Sequence, residues 1–189
     1  MRKYFSLFVS LLALSAQASP NICHVLNEHP SWYWAALDTQ HKWGIPLSVQ
    51  MAIVNEESGF RSHAQTPARK LFGFTLWHQS TAEGFPQALN GTWHRYVILN
   101  GKISANRADF TDASDFMGWY LHDIHTSAHV ANNDAYRLYL AYHEGLGGFR
   151  ARSYLREPWL IAVAHNVAWH AKLYHQQIAH CDLPTQRWY

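Results

Sequence analysis

Apolar positions recur at helical spacing along most of the chain, in segments separated by Gly, Pro and Asn, and strand-like alternation is scarce. Pro30-Ser31 open a segment that runs to about Lys42, where Gly44 stops it. Pro46 suits the first turn of the next helix, which extends to Glu57 or Ser58 ahead of Gly59. Arg61 to Lys70 read as an irregular loop, and a helical stretch from about Gln87 to Leu99 ends at Asn100-Gly101. Asp112 or Ser114 is placed to cap a helix through about Val130, and Asn132 or Asn133 one that ends at Gly145. Pro158 opens a long last helix to about His180, and Tyr96 to Leu99 is the one serious strand candidate. With no repeat, low-complexity tract or linker, the pattern predicts one mostly α-helical domain.

One segment stands out. Leu47 to Val54 is apolar on nearly every side when wound as a helix, so that helix is expected to be buried. It ends in Asn55-Glu56-Glu57-Ser58-Gly59-Phe60. Burial and the negative end of the helix dipole both disfavour a charged carboxylate there, and both raise its pKa. An acid still protonated near neutral pH can donate a proton to a leaving oxygen. Periodicity does not choose between Glu56 and Glu57.

The N-terminus changes how charge and cysteines are read. Arg2 and Lys3, an apolar run from Tyr4 to Leu14, and Ala16-Gln17-Ala18 form the pattern of a secretory signal, with residues 1–18 removed and 19–189 the working domain. An uncleaved anchor is the competing reading. Lipidation at Cys23 is set aside because Ile22 before it is not small. The formal charge of +2 is supplied by Arg2 and Lys3, so the remainder is near neutral and gives no argument for a nucleic-acid partner. The expectation is a periplasmic or secreted monomer without stable membrane insertion. In an oxidising compartment, the two cysteines, Cys23 and Cys181, read as a disulfide that ties the two ends together.

Glu57-Ser58-Gly59-Phe60 behind an apolar helix resembles the Glu-Ser motif of soluble lytic transglycosylase (SLT) domains, in the lysozyme-like superfamily. Gly84-Phe85-Pro86-Gln87 resembles that family's Gly-Leu-Met-Gln segment, and Ala141-Tyr142-His143-Glu144-Gly145 its Ala-Tyr-Asn-Ala-Gly segment. The three motifs occur in the family's order, over Ile45 to Gly148. The resemblance implies an all-α, lysozyme-like fold with at most a minor β element. It also selects Glu57 as the catalytic acid, assigns Ser58, Gln87 and Tyr142 to substrate binding, and names peptidoglycan glycan strands as the partner; Glu144, outside the family pattern, is a further candidate for substrate binding or for altering the pH profile. The implied reaction cleaves the β-1,4 bond between N-acetylmuramic acid and N-acetylglucosamine, leaves a 1,6-anhydro end, and needs no cofactor and no metal. His143 and Glu144 replace Asn and Ala of the family pattern, and Glu144 adds a second acid near the site.

Two other functions compete. A lysozyme-type hydrolase would use Asp109, Asp112 or Glu144 as a second carboxylate. A non-catalytic peptidoglycan-binding protein on the same fold would need none of this chemistry. His122, His125 and His129 share a helical spacing, but no metal-ligand motif accompanies the 14 histidines. Trp32-Tyr33-Trp34 read as core packing, and Arg150, Arg152 and Arg156 as a solvated face or a contact for peptide-stem carboxylates.

Overall fold

A computed structural model of the protein describes residues 20–64, 68–71, 74–78 and 81–186. The expected signal segment, residues 1–18, lies outside them. The described residues form seven α-helices: α1 (Ile22–Glu28), α2 (Pro30–Trp43), α3 (Leu47–Ser58), α4 (Asn90–Asn100), α5 (Phe110–Ala128), α6 (Ala135–Ala151) and α7 (Pro158–Ile178). A 3-10 turn, Ser153–Arg156, links the last two, and β1 (Ala68–Leu71) pairs antiparallel with β2 (Phe74–His78). The all-α expectation holds, and the minor β element is this hairpin. It falls partly in the stretch expected to be irregular, whereas Tyr96 to Leu99, the strand candidate, lies within α4.

Helix starts differ from expectation where several polar residues compete. Asp109 caps α5, its carboxylate accepting from the backbone N–H groups of Thr111 and Asp112 at 2.9 and 3.1 Å. Asp134 caps α6 in the same way, through the Arg137 N–H at 3.0 Å. Gly145, the expected stop, does break α6: it adopts φ 70° and ψ 166°, a non-helical conformation open to glycine, and a second helical stretch follows it to Ala151.

Helix α3 is the buried centre, with every residue from Leu47 to Val54 buried. It packs chiefly on α7, while α2 packs on α5. The α2–α5 seam is close: a Cβ added at Gly118 would lie 2.4 Å from Thr39 Cγ2 and 2.6 Å from Trp43 Cδ1. Replacing Gly118→Ala is expected to cost about 2 kcal/mol by overpacking, seen as a lower urea midpoint with an unchanged slope. Beside the seam lies the buried carboxylate of Asp115. Lys42 Nζ donates to it at 2.8 and 3.1 Å, Trp43 Nε1 at 2.7 Å and the Tyr96 hydroxyl at 2.8 Å. Burial alone would raise its pKa, but these donors outweigh burial and hold the carboxyl below the usual range. They fasten α2, α4 and α5 together. A second aromatic cluster, Trp93, Tyr96, Phe116 and Trp119, fills the space between α4 and α5.

Candidate active site

A groove of about 460 Å³ runs between α4 with the turn before it and the body of α5 and α6. Glu57 lies in it. One wall carries Gln87, Leu89 and Thr92, the floor Phe116 and Tyr120, and the other wall Tyr142, His143, Glu144 and Gly145. The buried run of α3 sets the position of Glu57: the helix has no room to rotate, and its last turn delivers this side chain to the groove. Gly59, left-handed at φ 57°, then ends the helix.

The electrostatics separate the two glutamates that sequence periodicity left open. Burial pushes the Glu57 carboxyl up to about 8, the neighbouring charge of Glu56 adds to the rise, and a hydrogen bond with Tyr139 opposes it. Glu56 is raised as well, by burial alone, but it does not line the groove. Glu57 therefore holds its proton near neutral pH at a surface that a ligand can reach.

Tyr139 is the residue that sequence reasoning missed. Its hydroxyl is the one hydrogen-bonded to Glu57, and burial together with the Glu57 and Glu56 charges raises its own pKa. Tyr142, one helical turn on, has its hydroxyl donating to the Pro86 carbonyl at 2.6 Å. That bond ties α6 to the turn on the facing wall, so Tyr142 spans the groove. The signal was present in the i, i+3 pair Tyr139 and Tyr142, which share a helix face. A tyrosine on an apolar face also reads as core, and only the tertiary placement of α3 shows which hydroxyl meets the acid.

The facing wall is held by backbone geometry. At Gly84 a Cβ would lie 2.3 Å from the Arg107 carbonyl oxygen, so the close approach permitted by this glycine is to the chain before α5. Arg107 in return donates to the Ala88 carbonyl at 2.9 Å and to Asn90 Oδ1 at 2.7 Å. Gln87 adopts φ 46°, a strained conformation for a non-glycine residue, and its amide donates to the carbonyls of Ala64 and Gly84 at 2.7 and 2.9 Å. These bonds aim its side chain along the groove edge.

The structure thus brings Glu57, Gln87, Tyr142 and Glu144 to one groove. It does not bring Ser58 there. Ser58 is 1% exposed and its hydroxyl donates to the Val54 carbonyl at 3.0 Å inside α3. Glu144 accepts from the Ser153 hydroxyl and lies 3.4 Å from His143 Nδ1. It is not among the charges that act on Glu57. Asp109 is taken up by capping α5, and Asp112 Oδ2 accepts from the Asn106 N–H at 2.9 Å, so neither faces Glu57. Trp32 stacks on Phe110 at 4.5 Å and meets Phe85 edge-on at 5.1 Å, apart from this groove. His122 Nδ1 lies 3.0 Å from the Trp43 carbonyl and His125 Nδ1 2.6 Å from that of Val130, both helix-end contacts. Among the described residues no three His, Cys, Asp or Glu side chains converge as metal ligands.

An all-α body with one desolvated, protonated acid in an open, aromatic-floored groove has the makings of an enzyme that cleaves by general acid chemistry. The chain matches the family model of the transglycosylase SLT domain over residues 4–181, and it belongs to that family. Lytic-transglycosylase-type cleavage of peptidoglycan is the activity this family implies. Comparisons with curated proteins and with solved structures gave no match.

Proposed function

We propose that the protein is an exported lytic transglycosylase that cleaves peptidoglycan between N-acetylmuramic acid and N-acetylglucosamine. The observation that carries the reading is the setting of Glu57: half-buried at the end of α3 and lining the groove, where burial pushes its carboxyl up to about 8. Glu57 gives its proton to the glycosidic oxygen as the bond to C1 breaks. The acetamido oxygen of the muramic residue closes on C1, so no second carboxylate is required. Glu57, now a carboxylate, takes the proton of the C6 hydroxyl, and O6 displaces the acetamido oxygen from C1. The products are a 1,6-anhydro end and a free C4 hydroxyl, with Glu57 protonated again and no water consumed.

The chain's own residues fit this sequence of charges. The Tyr139 hydrogen bond favours the carboxylate form of Glu57, which exists only between the two steps. Glu56 opposes that form and so keeps the resting acid protonated. Gln87 and Glu144 offer polar groups to the sugar along the walls.

Digesting purified sacculi and weighing the fragments tests the reading. Anhydro ends are expected; fragments heavier by one water and lacking anhydro ends would assign a hydrolase instead. The pH profile gives a second check. Activity should fall as pH rises through about 8, where Glu57 loses its proton. Removing the Glu56 charge in Glu56→Gln takes away a cause that raises Glu57, so the basic limb should move to lower pH. Tyr139→Phe takes away a bond that lowers it, so the limb should move to higher pH. Shifts in the same direction for both variants would exclude Glu57 as the titrating acid.

A further inference from the structure

Two concavities of about 490 and 350 Å³ meet at the start of α3. Pro46, Ser48 and His175 line both. The larger lies between that helix start, the turn into α6 and the face of α7 that carries Ala168, Ala171 and Lys172. Ser48 and Glu57 are nine residues apart on α3, about 14 Å along its axis, so this cleft sits at the opposite end of the helix from the cleavage site.

Helix α3 starts without a side-chain cap, because Pro46 stands at the cap position. The N–H groups around its first turn are taken up with one exception. That of Leu47 donates to Gln40 Oε1 at 2.7 Å, and those of Val49 and Gln50 to the Pro46 carbonyl at 3.0 and 3.1 Å. Among the described residues the Ser48 N–H has no partner, and neither has the Ser48 hydroxyl. Yet Ser48 is only 6% exposed. A hydroxyl buried without a partner costs free energy. This one lines both concavities, so it opens on space that a ligand can enter rather than on packed side chains. The positive end of the helix dipole adds to the two donors.

The charge of the wall agrees. Lys172 and His175 are spaced i, i+3 on α7 and share the face toward the cleft. Lys42 and Lys102 both pair with Asp115, whereas Lys172 pairs with no acid among the described residues. Asp134 is the one acid on the wall, and its carboxylate is taken up by capping α6 through the Arg137 N–H. An ammonium, a hydroxyl and a helix N–H suit the separated oxygens of a phosphate, where a planar carboxylate favours an arginine fork. Val49, Ala135 and Tyr136 add an apolar wall for the body that carries the anion.

We propose that this cleft binds a soluble phosphate monoester, with the phosphate held by the Ser48 hydroxyl and N–H and by the Lys172 ammonium. The site is separate from the groove and stands whether or not the groove cleaves peptidoglycan. Calorimetric titration of the full chain with phenyl phosphate, inorganic phosphate and acetate tests it. Phenyl phosphate should bind tightest, since it also meets the apolar wall, and acetate weakest. Ser48→Ala and Lys172→Gln should each weaken phenyl phosphate about tenfold, while both variants cleave sacculi as the parent does. The Ser48 amide resonance of the parent should shift on titration. Lys172 is exposed, so its substitution keeps the test valid where Ser48→Ala disturbs the buried helix. Parent-like affinity in Lys172→Gln overturns the proposal, as does acetate binding as tightly as phosphate. Vesicles of phosphatidic acid that sediment the parent but not Lys172→Gln, with no competition from phenyl phosphate, would place the phosphate on a lipid and overturn the soluble ligand.

Discussion

Replacing Glu57→Gln should lower cleavage about a thousandfold, the range that a positioned general acid contributes. Glutamine keeps the shape and neutrality of the protonated acid but has no proton to give. The substitution should therefore leave the groove standing, and it should do more. In the unfolded chain the carboxyl titrates near 4.5, in the fold at about 8. The folded state holds the extra proton over that window, so the parent loses stability as pH rises from about 4.5 to about 8. The Gln variant lacks this loss. Its advantage in urea midpoint should be absent at pH 4 and grow toward pH 8. A dead enzyme that is more stable than its parent at neutral pH, and equal to it in acid, is a signature that damage to the fold cannot produce. A Glu57→Gln protein that cleaves like the parent would remove Glu57 from the mechanism and favour a different residue.

That same residue shows how far the sequence could be read. The apolar run from Leu47 to Val54 announced a buried helix ending in acids, because burial on all sides leaves no polar stripe. Helical periodicity could not choose between adjacent glutamates, since neighbouring positions differ by only 100° and both abut apolar residues. The choice is made by what packs against the helix end, and Tyr139 comes from a segment about eighty residues away. The three motifs named Gln87, Tyr142 and Glu144 in order, and the groove gathers them. The capping residues and the hairpin were harder. Asp109 and Asp112 are both good caps, and the helix start is fixed by where Asn106 and Arg107 turn the chain, not by propensity. Strands β1 and β2 are 4 and 5 residues long and carry a bulge between Arg69 and Lys70, which blurs any two-residue alternation. Gly145 was a sound stop signal locally. The helix does break there, and the apolar residues after it, Leu146 and Phe149, pack on the core and found a second helical stretch.

Breaking the Cys23–Cys181 bridge should cost about 5 kcal/mol on the chain-entropy model, because it closes a loop with a sequence separation of 158. The pairing read from the sequence is present, with Cα atoms 5.7 Å apart, and it joins α1 to the chain just after α7. A domain of this kind has about 5–15 kcal/mol in total, so the loss is a large share of it. The Cys23→Ser, Cys181→Ser double variant, or the parent in reductant, should show a correspondingly lower urea midpoint. The groove should survive in whatever fraction stays folded, since Glu57 is set by α3 and no cysteine lines the site. Local interactions at the bridge are too few to compensate. Ile22 N–H donates to Gln177 Oε1 at 2.9 Å, and Ile22 and Leu26 are the two α1 residues that bury fully. Without the bridge, α1 should exchange its amides first, ahead of α3 and α7. A midpoint unmoved by reduction would mean that the unfolded chain gains little freedom from losing the crosslink. The expected result makes the stability of the fold depend on keeping this bridge oxidised.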